Sequence, residues 1–205
     1  MKYSFSSGRI LPLIFPSCIW RIKTNLPEVY LTFDDGPHPE ITPWVRAQLN
    51  AFGFKGTFFC IGDNVRKYPE VYAETIQAGY AVGNHTFNHV NGFRTKTTDY
   101  LSNIKKCQEL VESQLFRPPY GKLLRPQLLG ILPQYKIVMW SALSGDFDQN
   151  LNTNKALEAL KKNTFPGSII IFHDSAKAWK NLQIVLPLYL QYLKEIGYNA
   201  LNLPE

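Results

Sequence analysis

The sequence predicts an α/β fold in which parallel strands alternate with helices. Three observations predict it. Six or seven short runs rich in Val, Ile, Phe and Tyr alternate with stretches whose apolar residues recur at helical spacing. Polar, chemistry-bearing residues gather where the strand-like runs end. The chain has 205 residues, 45% of them hydrophobic and 19% charged, which fits one domain with a sizeable core. Such an order argues for βα units, closed as a barrel or left as an open sheet.

The first residues, Met1–Asn25, contain the apolar run Ile10–Ile14, broken by Pro12 and Pro16. A signal peptide needs a longer unbroken apolar core, and a membrane helix needs about 20 apolar residues. Residues 1–27 are therefore expected to form an N-terminal arm packed on the domain or on its edge. Residues 28–205 form the single domain, and no stable membrane insertion is expected. Both the cytoplasm and the cell envelope stay open as locations.

The first strand is "EVYLTFDD", Glu28–Asp35. A helix follows over Ile41–Phe52, with Val45, Leu49 and Phe52 on one face and Gly53 as its stop. "KGTFFCIG" is a second strand, "YPEVYAETIQAG" a helix, and "YAVGNHTF" a third strand running into polar residues. The long helix "TTDYLSNIKKCQELVESQ" aligns Tyr100, Ile104, Cys107 and Val111, with Thr97 or Thr98 as its cap. "LFRPPYG" is a short strand ending in a Pro-Pro turn, and "RPQLLGIL" a short helix. "YKIVMWSAL" is the next strand, "NTNKALEALKKN" a helix and "GSIIIFHDS" a strand. The last helix, "NLQIVLPLYLQYLKEIG", carries Pro187 as a candidate kink, and "YNALNL" closes with a strand.

The net charge of +6 is spread over the chain. Lys105-Lys106 and Lys161-Lys162 sit in helical segments and read as solvated faces. A nucleic-acid partner is not expected, because no basic stripe with interleaved aromatics is present. Cys18, Cys60 and Cys107 have no short spacing, so no disulfide framework or Cys-rich zinc site is implied. Oligomeric state is not encoded in any readable motif; a monomer is the expectation.

The strand ends raise a chemical question. Asp34 and Asp35 stand side by side although like charges repel. A metal that takes one carboxylate and leaves the other for proton work would explain the pair. All four histidines, His38, His85, His89 and His173, lie at predicted strand ends. His85 and His89 are four residues apart, so one turn or a tight loop can aim both imidazoles the same way. Neutral imidazoles suit zinc, copper, nickel or iron. With one carboxylate they make a two-His, one-carboxylate site that keeps positions open for water and substrate. Arg117 precedes the stiff Pro118-Pro119 pair; it reads either as a surface arginine or as a buried guanidinium that orients a carboxylate.

Together "TFDDGP", "HTFNH", "RPPYG" and "IFHDS" resemble, in this order, the polysaccharide deacetylases with a NodB-type domain, carbohydrate esterase family four. The resemblance covers about Glu28 to Leu203. It implies a distorted, incomplete (β/α) barrel of about seven parallel strands. It implies a divalent metal, commonly zinc, with cobalt, nickel or manganese as substitutes. The implied activity is hydrolysis of N-acetyl groups on N-acetylglucosamine glycans such as peptidoglycan or chitooligosaccharides. Carried over by position, Asp34 resembles the catalytic base, and Asp35, His85 and His89 the metal ligands. Arg117 would orient Asp34. Tyr120, with Pro118 shaping its turn, would offer a backbone N–H to the oxyanion. His173 resembles the general acid.

One segment departs from the family. "WSALSGDFD" has Leu143 where the family's first aspartate is expected, and Phe147 where a tryptophan is expected. That aspartate would tune the acid histidine; here either Asp146 or Asp148 is expected to do so, or the tuning is weaker. Ile171 stands for a leucine of the pocket wall. Phe87 and Trp140 are either core residues or sugar contacts. Two other functions compete with hydrolysis. A glycan-binding relative without activity would keep the fold alone. A non-haem iron oxygenase would share the two-His, one-Asp set, although its usual ligand order differs.

Overall fold

The computed structural model describes residues 4–8 and 10–205. In chain order its elements are α1 Ile10–Ile14, β1 Glu28–Asp34, α2 Ile41–Phe52, β2 Thr57–Cys60, α3 Gly62–Lys67, α4 Pro69–Gln77 and β3 Ala81–Asn84. They continue with α5 Thr97–Gln108, β4 Leu115–Phe116, α6 Arg125–Ile131, β5 Lys136–Ile137 and β6 Ala142–Leu143. The last are α7 Thr153–Lys162, β7 Ile169–His173, α8 Trp179–Glu195 and β8 Asn199–Ala200. Strand order is β5-β4-β3-β2-β1-β7-β6, with β8 beside β1 and every pairing parallel. A curled half-barrel of seven parallel strands, with a short eighth, is the α/β architecture expected of the chain.

Period-two alternation on β1 decides what faces what. Val29, Leu31 and Phe33 point to the helices and join Val45 and Leu49 of α2 and Leu182, Val185, Leu186 and Tyr189 of α8. Those α8 positions recur at three- and four-residue spacing, so one stripe of the helix is buried. Phe33 stacks between Phe58, at 5.0 Å, and Phe172, at 6.0 Å. On the other face Tyr30 packs with Phe59, Leu115, Val138 and Ile169 inside the barrel. Thr32 and Asp34 follow Tyr30 on this interior face. The helix α8 runs through Pro187.

The run "YKIVMWSAL" is not one strand. Lys136–Ile137 pairs with β4 at one edge of the sheet, and Ala142–Leu143 pairs with β7 at the other. Between them Val138–Ser141 crosses the gap as a strap: Val138 N–H donates to Phe116 O, and Ser141 N–H to Ile169 O. Both halves bury side chains, so an apolar run gave no sign of the break. Two further boundaries differ from expectation. The helix α5 stops at Gln108, and its N-cap is Lys96 with no side-chain cap, so Thr97 and Thr98 lie inside its first turn. The helix α3 was not foreseen; at six residues it is too short to show periodicity.

The arm meets the strap. Ile19 bridges Val138, Ser6 bridges Ala142 and Arg21 bridges Ser168. Ile22 N–H donates to Gly167 O, and a Cβ at Gly167, whose φ is +82°, would fall 1.8 Å from Ile22 O. Trp20 is buried, with Ser141 Oγ donating to its carbonyl. The helix α1 between these flanks stays exposed at Ile10, Leu13 and Ile14. Among the described residues no helix is long and apolar enough to cross a membrane. Cys60 and Cys107 are buried, Cys18 is half-buried, and all three are free thiols.

Candidate active site

Strand register assembles the site. Asp34 at the end of β1 pairs with His173 at the end of β7 and with Phe59 of β2. Asn84 at the end of β3 lies opposite Phe116, and Arg117 N–H donates to Asn84 O. The loops after β1, β3, β4, β6 and β7 therefore open on one end of the barrel, as parallel strands require.

Arg117 is the largest fully buried side chain. Its Nη1 donates to Asp34 Oδ1 and to Thr32 Oγ1, each at 2.7 Å. Its Nε donates to Val138 O and its Nη2 to Met139 O, both on the strap. The guanidinium carbon lies 4.1 Å from the centre of the Phe59 ring. A buried charge needs a partner and filled donor sites, and Arg117 has both. The buried-guanidinium reading of this residue is the one the fold contains.

Asp35, His85 and His89 converge, with one ligand atom from each within 4.8 Å of the others. His89 Nε2 is 3.2 Å and His85 Nε2 3.7 Å from Asp35 Oδ1. Tetrahedral coordination with bonds of about 2.0–2.2 Å sets ligand atoms about 3.3–3.6 Å apart, close to these separations. Asp35 Oδ1 is buried without a hydrogen-bond donor, as a ligand oxygen would be. His85 Nδ1–H donates to Arg117 O at 2.8 Å, which leaves the Nε2 lone pair free toward the trio. Burial lowers the His85 pKa to about 4 against the opposing pull of Asp34, so it is neutral near pH 7. Burial alone would raise the Asp35 carboxyl; the adjacent His89 imidazole and the charges of His173 and His85 take it well below the usual carboxylate range. The residues thus fit a divalent cation by donor type, spacing and protonation.

Backbone strain collects here. The non-glycine residues with positive φ among the described residues are Asp35 (82°), Thr86 (63°), His89 (54°) and Tyr120 (61°). Such conformations persist where surrounding contacts over-determine them, and they cluster at functional sites. Tyr120 follows Pro118 and Pro119 in a single 3-10 turn, and its half-exposed ring lies 4.6 Å from the His89 ring.

On the opposite wall, His173 Nδ1–H donates to Asp146 Oδ1 at 2.7 Å, and His173 N–H donates to Asp146 Oδ2 at 2.8 Å. Burial favours the neutral imidazole. The Asp146 charge and hydrogen bond, with the charges of Asp35 and Asp34, outweigh it and raise the His173 pKa to about 9. Between the two candidates for this task the geometry selects Asp146. Asp148 Oδ1 instead accepts from Asn150 N–H in a local turn. Leu143, at the place of the family's first aspartate, is a buried residue of β6, and of the two expected replacements it is Asp146 that bonds His173. Phe147 stands edge-on to His173 at 5.1 Å.

Other residues fall outside the expected set or were missed. His38 is no ligand; its Nδ1 accepts from Glu40 and Ile41 N–H at the start of α2. Phe87 is a core residue, while Trp140 is half-buried. Thr32, Asn84, Asn181 and Asp174 were missed. Thr32 sits two residues before Asp34, and strand alternation was the signal that could have found it. Asn181 holds the carbonyls of Asp146 and Asp148. Asn84 Oδ1 accepts from Thr86 N–H at the root of the His85 loop.

Comparison with known proteins places this geometry in a family. Residues 21–138, more than half of the chain, match the family described as polysaccharide deacetylase. A peptidoglycan-N-acetylglucosamine deacetylase of Bacillus cereus is 34% identical over 158 residues, 74% of this chain and 57% of the relative. The match therefore spans little more than half of that protein's length. A chitooligosaccharide deacetylase of Azorhizobium caulinodans is 36% identical over 163 residues, 75% of this chain and 77% of the relative. The crystal structure of the Bc1960 peptidoglycan N-acetylglucosamine deacetylase superposes with a TM-score of 0.83 at 28% identity, covering 94% of each chain. By profile, by sequence and by the curled sheet that sets its strand ends around one site, the chain belongs to the polysaccharide deacetylase family.

Proposed function

We propose that the protein hydrolyses N-acetyl groups of N-acetylglucosamine units in a glycan, releasing acetate and leaving the free amine. Asp35, His85 and His89 would hold a divalent ion, zinc first among the ions that a His2Asp set accepts. Such an ion polarises the acetyl carbonyl and acidifies the attacking water. The observation that carries this reading is the pair of opposed proton groups around the trio. Asp34 is braced by Arg117 on one side, and His173 is braced by Asp146 on the other.

The division of labour follows from that placement. Asp34, held off the trio by Arg117, takes a proton from the water as the C–O bond forms. The Tyr120 N–H is assigned to the oxyanion, where a fixed donor counts most as charge develops. His173, cationic below about pH 9, gives its proton to the nitrogen as the C–N bond breaks. The paired aspartates tolerate each other because an ion neutralises one and Arg117 pairs the other.

The substrate reading draws on the relatives, which are named for peptidoglycan and for chitooligosaccharides. A peptidoglycan substrate would place the protein at the cell envelope. The test is acetate release from chitooligosaccharides and from peptidoglycan fragments, on metal-stripped protein with and without added zinc. Zinc-dependent acetate is expected, and the better substrate names the polymer. No acetate from either, with zinc bound, would overturn the reading in favour of a glycan-binding protein without hydrolysis.

A further inference from the structure

Asp174 is a fully buried carboxyl next to His173, and the proton chemistry described above does not use it. Its Oδ1 accepts from Gly36 N–H at 3.0 Å, and its Oδ2 accepts from the Thr42 hydroxyl. Its own N–H donates to Asp34 O at 3.0 Å. Thr42 Oγ1 in turn accepts from His38 N–H at 2.8 Å. One side chain therefore joins the exit of β7, the turn after β1 and the first turn of α2.

The turn it grips is the one that presents Asp35. Asp35 has a φ of 82°, a left-handed conformation uncommon for a non-glycine residue, which surrounding contacts help to hold. Three hydrogen bonds supply that constraint on its C-terminal side. Asn64 Nδ2 donates to Asp35 O, Gly36 N–H donates to Asp174, and Ile61 N–H donates to Gly36 O. Contact at Gly36 is so close that a Cβ there would lie 2.1 Å from Asp174 Oδ2. The Asp174 bond is the member of this set that comes from the strand end carrying His173.

We propose that Asp174 is a positioning residue for the metal site: it fixes the peptide between Asp35 and Gly36 and so aims the Asp35 carboxylate at His85 and His89. This role rests on the metal reading of that trio and adds the means by which the ligand is held. Outer residues that orient ligands typically contribute about 10–100-fold in metal affinity. The backbone N–H of Asp174, donating to Asp34 O, ties the same strand end to the candidate base.

The experiment is zinc affinity by chelator competition, read alongside thermal unfolding, on the full chain. Asp174→Ala is expected to weaken zinc binding by about 10–100-fold while unfolding stays cooperative. Asp174→Asn keeps an oxygen for Gly36 N–H and is expected to stay within about threefold of the unaltered protein, since the orienting bond survives. The core variant Val185→Ala, on α8 and outside the trio and its hydrogen bonds, is expected to lose thermal stability and keep zinc affinity. If Asp174→Ala does not fold, Thr42→Val removes only the hydroxyl that steadies Asp174 and is expected to weaken zinc several-fold. Unchanged zinc affinity in folded Asp174→Ala, or in Thr42→Val where that variant stands in, overturns the positioning role alone. An unaltered protein that binds no zinc overturns the metal site and this role together.

Discussion

His173 and Asp146 are joined twice, through the imidazole Nδ1–H at 2.7 Å and through the backbone N–H at 2.8 Å, so one carboxylate sets both the charge and the orientation of the ring. With its pKa raised to about 9, the ring is cationic through the neutral range. Activity measured as kcat/KM against pH should fall on the alkaline side near pH 9. Asp146→Asn should move that limb down toward the ordinary imidazole range of about 6.5 and lower the plateau about a hundredfold or more. An alkaline limb that stays in place would separate His173 from the acid role.

The same pair makes stability depend on pH with a defined sign. The folded pKa of His173 lies above the unfolded one, so its contribution is fully present below about pH 6.5 and lost as pH rises through about 9. Denaturant midpoints of the unaltered protein and of Asp146→Asn should therefore differ most at pH 6 and converge above pH 9.

Metal retention and turnover should separate at neighbouring residues. Asp34→Asn is expected to keep zinc and lose about 10²–10⁴-fold in turnover. His85→Ala should lose both, because the trio falls to two ligands. Zinc content after dialysis, set beside acetate release, reads both traits. Normal deacetylation by Asp34→Asn would remove it as the base.

Arg117→Leu should be among the most damaging substitutions for folding. It strands the buried Asp34 carboxylate and leaves the Val138 and Met139 carbonyls without their donor. Breaking a buried ion pair in this way costs about 3–5 kcal/mol, measurable by urea unfolding. Arg117→Lys should rescue it poorly, because the three hydrogens on one ammonium nitrogen cannot reach four acceptors spread around the planar guanidinium.

Trp20→Ala tests whether the arm is part of the domain's structure. The residue is 7% exposed, and its Nε1 donates to Phe15 O. Its loss should cost about 3–5 kcal/mol, as for other buried aromatic truncations. Unfolding at the unaltered denaturant midpoint would show that the domain folds without it.

The site was more legible in the sequence than its supports. Asp35, His85 and His89 could be read because metal chemistry restricts ligand types, and because parallel strands deliver their ends to one face. Asp146 and Asp148 could not be told apart, since the choice depends on the turn at Gly145, whose φ is 72°. Asp174 left no trace in spacing; Gly36, its partner, is 138 residues away. The strap at Val138–Ser141 was hidden because each half buries apolar side chains as a continuous strand would. Thr97 and Thr98 suggested a cap, yet α5 starts at its own N-terminus without a side-chain bond.

The strap has a consequence for how such a chain can change over generations. The candidate ligands Asp35, His85 and His89 come from the turns after β1 and β3, whereas Arg117 leans on the strap and His173 on Asp146 in the turn after β6. The braces of both proton groups thus share one segment that supplies none of the trio's side chains. Under the proposed chemistry, substitutions within residues 138–146 would disturb both proton groups while leaving the trio's own side chains untouched. Recovering the reaction would then require repair of this one segment, with the rest of the ring already in place.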